Sequence, residues 1–256
     1  MLRGLYMAGQ GMLLQRRHMD VITNNIANSD TTGFKREMLV SHSFDSVMVQ
    51  RINDVHSGPL PRAAGPQDVG RMHMGTQVDQ LFINFDPGGL EETERSTDLA
   101  LIGDVFFVLQ TPDGERFTRA GAFYVDDLGY LVDGVGNLLL GADGPINVGG
   151  LNFEIDAFGG VRVDGELAAT IRVVSFEDNN SLRKQGSNLF FSIEDPLEEP
   201  AEFRIIQGFL ETSNVDIGRE MVDMLTTFRA YETNQRILSM IDETLGRAVN
   251  EIARLR

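Results

Sequence analysis

Four histidines, His18, His42, His56 and His73, are the side chains best suited to proton transfer or metal binding, and their arrangement supports neither. There is no H-E-x-x-H and no clustered ligand spacing. His18 falls within a helical pattern and the others within a connector, so each reads as a solvated polar residue. Gly134-Val135-Gly136 opens a G-x-G, but Leu139 stands where a dinucleotide fingerprint needs its third glycine. No G-K-[ST] loop or G-x-S-x-G elbow occurs. Asp126, Asp127 and Asp133 have the type of calcium ligands without EF-hand spacing or its terminal glutamate, and read as hairpin turns. Asp104 and Glu115 could act as a glycosidase pair only if the fold brought them together. With no cysteine, thiol nucleophiles, disulfides and Cys-zinc sites are excluded. The expectation is a non-enzyme with no cofactor and no metal. The alternative is a cell-wall or surface-polysaccharide glycosidase using a carboxylate pair on the β region.

Composition narrows the partners. A formal charge of −16 argues against nucleic acid, whose phosphates demand a basic face. The only lysines are Lys35 and Lys184, so nearly all positive charge is arginine, whose forked guanidinium suits interface ion pairs. The N-terminus lacks a basic region followed by an apolar run, so no cleavable signal peptide is expected. No stretch reaches the roughly 18 apolar residues of a membrane span, so no direct membrane insertion is expected.

The two ends of the chain resemble each other and differ from the middle. From Leu2 to about Asn28 a proline-free pattern places Leu5, Met12, Met19 and Ile26 at seven-residue intervals, with Ala8 and Ile22 beside them. Gly4, Gly9 and Gly11 weaken its first turns by about 1 kcal/mol each. Asn28-Ser29-Asp30-Thr31-Thr32-Gly33 supplies the residues that end it. Near the C-terminus, Ile217, Met224, Tyr231, Leu238, Leu245 and Ile252 form a longer seven-residue series. Asn214 or Asp216 can cap this helix, and Glu220 complements the macrodipole in its first turn. A helix from 216 to the end would be roughly 60 Å long. Isolated helices are marginal in water. Burial of about six large seam side chains, at roughly 1.5–3 kcal/mol each, could decide the balance. The seams therefore need partners, which are the other terminus and neighbouring copies.

Between the ends, residues about 80 to 206 read as antiparallel β. Leu81–Phe85 and Val105–Leu109 are short apolar runs, and Thr111-Pro112-Asp113-Gly114 is a hairpin turn. Turn residues recur every 8–12 positions thereafter, suggesting a sandwich or small barrel. Residues 41 to 79, with Gly58-Pro59-Leu60-Pro61 and Gly65-Pro66, read as irregular, and the acidic stretch Glu194–Pro200 as a surface loop. The fold class is thus α+β, with N- and C-terminal helices pairing as a coiled-coil stalk and a central all-β domain. The expected divisions are 1–35, an N-terminal stalk helix; 36–80, an irregular connector; 81–206, the β domain; and 207–256, the C-terminal stalk helix.

Particular residues then carry a resemblance. Asn24-Asn25-Ile26-Ala27-Asn28, followed by Thr32-Gly33-Phe34-Lys35, resembles the N-terminal signature of bacterial flagellar rod, hook and hook-associated proteins. Gly208–Asp216, including Ser213 and Asn214, then Glu220-Met221-Val222 and Arg229-Ala230-Tyr231-Glu232-Thr233-Asn234, resembles their C-terminal signature. Ser96–Gly103 with Phe106-Phe107, Phe117–Phe123, and Gly186-Ser187-Asn188-Leu189-Phe190 are similar to the family's β region. Val105 departs from it, standing where a glycine is common. The resemblance implies a hook-basal body rod subunit of the FlgF/FlgG type, leaning to the distal rod. It further implies export through the flagellar type III apparatus, a helical homo-oligomer, and neighbours among the rod and hook proteins of the extracytoplasmic basal body.

Overall fold

Along residues 105–109 the side chains alternate between two hydrophobic cores. Val105, Phe107 and Leu109 join Leu99, Phe123, Leu139, Val161 and Val173, whereas Phe106 and Val108 join Phe117, Leu140, Val174, Leu182 and Phe190. A strand covered on both faces needs an unbroken apolar run, and this one has it. In this computed structural model, which describes residues 2–51, 67–150, 152–192, 196–197 and 202–254, the run forms the Phe106–Thr111 strand.

That strand lies within a nine-stranded antiparallel sheet. The path runs Leu182–Lys184, Phe190–Ser192, Gly114–Thr118, Phe106–Thr111, Leu138–Gly141, Leu131–Val132, Tyr124–Val125, with Gly144–Pro145 and Val173–Val174 pairing alongside. Among the described residues no pairing returns the last strand to the first, so the sheet is open and not a barrel. The hairpin at Pro112-Asp113 closes with Thr111 opposite Gly114. The turns at Asp126–Gly129 and Val135–Asn137 also join paired strands. Val105 is buried, and the turn before it is taken by Gly103 at φ +105.

The chain divides into two units. A β unit comprises Asn25–Glu37 and Ile83–Ile217; a helical unit comprises Met1–Asn24, Met38–Phe82 and Gly218–Arg256. The helical unit contains most of α1 (Leu2–Ala27) and of α2 (Ile217–Arg254); both starts, and the end of α1, match the sequence expectation within a residue, while residues 255–256 lie outside the described residues. The expectation of an irregular connector over 36–80 is corrected. Glu37–Ser43 pairs with Thr76–Ile83, and Val47–Arg51 pairs antiparallel with Gln67–Met72. Alternating Met38 and Val40, then Val47 and Val49, favour extended backbone over a proline-free stretch. Pro59, Pro61 and Pro66, which prompted the irregular reading, lie outside the described residues, as do His56 and most of the Glu194–Pro200 stretch.

Candidate functional site

The terminal helices present faces that differ from the expected seams. On α1, Ala8 and Ile22 are buried, whereas Leu5, Met12, Met19 and Ile26 are half-buried at the flank. On α2, Glu220 and Thr227 are buried; Met224, Tyr231, Leu238 and Leu245 are half-buried. Ile217, at the start of α2, is exposed, and the side chain of Ile252 lies outside the described residues. The reason is geometric. A strict seven-residue series drifts by about 20° per heptad around a straight helix, so a series that faces inward at Leu238 starts off-face at Ile217.

Two glycines mark where α1 and α2 meet. A Cβ at Gly4 would stand 3.3 Å from Ile241 Cδ1, and one at Gly11 would stand 2.9 Å from Asn234 Nδ2. Position rises on α1 as it falls on α2, so the helices run antiparallel at these contacts. At Gly9, off this face, a Cβ would meet nothing within 4 Å. The seven-residue spacing of Gly4 and Gly11 is visible in the sequence, where glycine by itself signals only helix weakening.

The signature residues serve a joint inside the β unit. Asn25 is buried and exchanges two hydrogen bonds with Glu37: its Nδ2 donates to Glu37 O at 2.9 Å, and its Oδ1 accepts from Glu37 N at 3.0 Å. Asn214, from the other end of the chain, accepts from Arg36 N at 2.8 Å and donates to the carbonyls of Asn84 and Asp86. It is therefore not the helix cap, and Asp216 immediately precedes α2. Thr31 Oγ1 donates to Asn28 Oδ1 at 3.3 Å, and Val215 N donates to Ser213 Oγ at the same length. Asn24, Ala27 and Arg229 are exposed.

Gly33 is the pivot. Its φ of +64 suits glycine, and a Cβ there would fall 2.5 Å from the backbone of Arg119 and Ala120. Its N–H donates to Glu211 O at 2.7 Å, while Asn188 Nδ2 donates to Thr32 O at 2.9 Å. Phe34 is buried under Lys184, whose Nζ sits 3.7 Å from the ring centroid and 2.8 Å from Glu37 Oε1.

Beneath the pivot lie three buried charges, Lys35, Arg119 and Glu211, whose pairing no spacing along the sequence shows. Lys35 Nζ donates to Glu211 Oε1 at 2.6 Å and to Asp86 O at 2.9 Å. Arg119 Nε approaches Glu211 Oε2 at 3.5 Å without a hydrogen bond, while its Nη1 donates to the carbonyls of Gly103 and Val105. Burial pushes the Lys35 ammonium below its ordinary range, against the opposing pull of Glu211; burial lowers Arg119 likewise. The available signal was rarity, since both lysines of the chain belong to this joint.

The carboxylates considered for catalysis are committed elsewhere. Asp104 accepts from Asn179 Nδ2 through both oxygens, and Glu115 pairs with Arg172 at 2.9 Å. Asp133 accepts from the backbone of its own turn at Val135 and Asn137. Among the described residues no group of His, Asp or Glu is arranged to hold a metal, and no helix is long and apolar enough to cross a membrane.

Comparison with known proteins settles the family. Residues 5–35 match the family model described as flagella basal body rod protein, residues 100–166 the flagellar hook protein FlgE/F/G D1 domain, and residues 206–251 the flagellar basal body rod FlgEFG protein C-terminal. The chain is 32% identical to flagellar basal-body rod protein FlgG of Bacillus subtilis, covering 98% of this chain and 99% of that one. The chain belongs to the flagellar basal-body rod proteins. Other relatives include FlgG of Buchnera aphidicola from Acyrthosiphon pisum, 31% identical over 96% and 98% of the two chains, and the flagellar hook-basal body complex protein FlhO of Bacillus subtilis, 29% identical over the whole of both. As a rod protein of the FlgG/FlgF type it is a structural subunit of the basal body and not an enzyme. The glycosidase alternative finds no support.

Proposed function

We propose that this rod protein polymerises with copies of itself and with other rod and hook proteins through α1 and α2, forming a tubular axial structure that transmits torque. The helices pair as an antiparallel coiled coil within one subunit. The observation that carries this reading is the antiparallel approach of Gly4 to Ile241 and Gly11 to Asn234. A second apolar face remains on α2 for a neighbour. Met221, Leu225 and Phe228 recur at helical spacing about a third of a turn round from Glu220 and Thr227, and are 53%, 59% and 48% exposed. On α1, Tyr6 and Leu13 are exposed opposite Gly4 and Gly11. Docking the α2 face of one copy onto the α1 face of the next is a heterologous contact, which generates open helical polymers.

Charge favours the same surface. Leu2–Ala27 carries three arginines against one aspartate, and Ile217–Arg254 five arginines against six carboxylates, so the helices together hold +1 and the rest of the chain −17 of the −16 total. Copies repel least where their helices meet. The subunit reaches the basal body through the flagellar type III route. Basal bodies purified from cells carrying wild-type or 216–256-deleted protein, analysed by mass spectrometry, test the proposal. Presence of the wild type and loss of the truncation is expected; equal incorporation of both would overturn it.

A further inference from the structure

The chain passes between the β unit and the helical unit at 24–25, 37–38, 82–83 and 217–218. Beside each passage, on the β-unit side, stands a residue bonded to another passage. Asn25, at the first, exchanges its two bonds with Glu37 at the second. Asn84 N donates to Arg36 O at 2.8 Å and so joins the third to the second. Asn214, just before the fourth, reaches both of these. Its Oδ1 accepts from Arg36 N at 2.8 Å, and its Nδ2 donates to Asn84 O and Asp86 O, each at 2.9 Å.

An asparagine amide carries the donor and the acceptor of a peptide group. Asn25 and Asn214 therefore act as extra lengths of strand, lacing together passages that are remote in sequence. The lacing bears on twist. A single passage of main chain has two soft dihedrals per residue and swivels about them. Passages held at fixed spacing cannot swivel one by one, because turning any of them breaks its bonds to the next. In an axial structure that transmits torque, these passages are the covalent path by which the two units of a subunit turn together.

We propose that Asn214, with Asn25, is the positioning residue that stiffens this connection against twist, so that torque crosses from one unit of the subunit to the other. The inference rests on the torque-transmitting reading above. It adds the residues that carry load inside a subunit, as distinct from the helix faces that carry it between subunits.

Gln207 supplies a matched comparison. Its side-chain amide likewise accepts one N–H, from Ile155 at 3.0 Å, and donates to two carbonyls, Ser96 O at 2.8 Å and Phe153 O at 3.2 Å. None of these partners stands beside a passage. Asn214→Asp and Gln207→Glu each keep the side chain's size, lose both donors and set a carboxylate against two carbonyls.

Strains making either variant as the sole copy are compared for its amount in purified basal bodies and for swimming in dilute and thickened media. Both variants are expected to enter basal bodies and to support swimming in dilute medium. In thickened medium the swimming fraction is expected to fall at least about threefold for Asn214→Asp, which loses three hydrogen bonds at the connection, and to match wild type for Gln207→Glu. Equal tolerance of load in the two strains overturns the proposal. So does exclusion of Asn214→Asp from basal bodies that admit Gln207→Glu, since the amide would then serve assembly. Should neither carboxylate variant enter, Asn214→Ser and Gln207→Ser, which bring no charge, are read by the same criteria, and their joint exclusion also overturns it. Failure of the polymerisation reading shows differently, as absence of the wild-type protein from basal bodies.

Discussion

Lys35 Nζ and Glu211 Oε1 lie 2.6 Å apart across 176 residues of chain, with both side chains almost wholly withdrawn from solvent. This contact closes the β unit between a segment that follows α1 and a segment that precedes α2. Arg119 faces the same carboxylate at 3.5 Å, and Asp104 is a further negative charge acting on both cations.

Removing the carboxylate should harm the protein more than removing the lysine. Glu211→Gln leaves two buried cations without the carboxylate that contacts both and is expected to cost about 3–5 kcal/mol. Lys35→Met leaves the Arg119 pair and is expected to cost about 1 kcal/mol or to stabilise. Asp86 O, which Lys35 would abandon, still accepts from Asn214. Urea denaturation of the two variants checks the order, and a larger loss in Lys35→Met contradicts it.

Stability should rise with pH on the alkaline side. Folding lowers the Lys35 pKa below its ordinary 10.5, with Glu211, Arg119 and Asp104 the charges facing it. Between the folded value and 10.5 the unfolded chain binds the extra proton, so folding gains as pH increases and loses as pH falls through the folded value. Urea midpoints followed across that interval should climb in the wild type. The same slope in Lys35→Met would assign the effect to another group.

Gly33→Ala should be among the most damaging single-methyl changes. A left-handed backbone costs an ordinary residue about 1–2 kcal/mol, and the added Cβ meets backbone that cannot step aside. A loss of about 3 kcal/mol or more in urea melts is expected. A loss under 1 kcal/mol would show that the pivot tolerates a side chain.

The glycines of α1 should separate by face. Gly9→Ala has free space and removes the helix penalty of glycine, so α1 should gain about 0.5–1 kcal/mol. Gly11→Leu should push α2 away at Asn234. Amide exchange along both helices reads the result, and equal protection in the two variants would remove the argument for close approach.

Incorporation should distinguish the two faces of α2. Leu238→Asp places a charge on the face toward α1, and should loosen the helices in the free subunit as well as block incorporation. Phe228→Glu alters an exposed side chain, so the free subunit should keep its melting profile yet fail to enter basal bodies. The β unit should remain folded in both. Normal swimming in the Leu238→Asp strain, or normal incorporation of Phe228→Glu, defeats the corresponding assignment.

Much of the architecture was legible because its causes are local. Seven-residue apolar series, caps and proline absence located the start of each helix within a residue. Gly-containing turns located the hairpins, since positive φ is a property of a single position. The ribbons within 37–83 were missed because prolines clustered in one part of that stretch outweighed the alternating valines in the rest. Periodicity gives a repeat and not its phase relative to a partner, so it did not show that Ile217 is exposed where Leu238 is half-buried.

The helical ends, the β centre and the resemblance to flagellar rod and hook proteins could be read from the chain alone, because each rests on residue types at fixed short spacing. Only the tertiary structure decided that Asn25, Gly33, Lys35, Arg119, Glu211 and Asn214 form one joint. Those residues are brought together by long-range closure, and no spacing along a chain specifies which carboxylate meets which cation once both leave water.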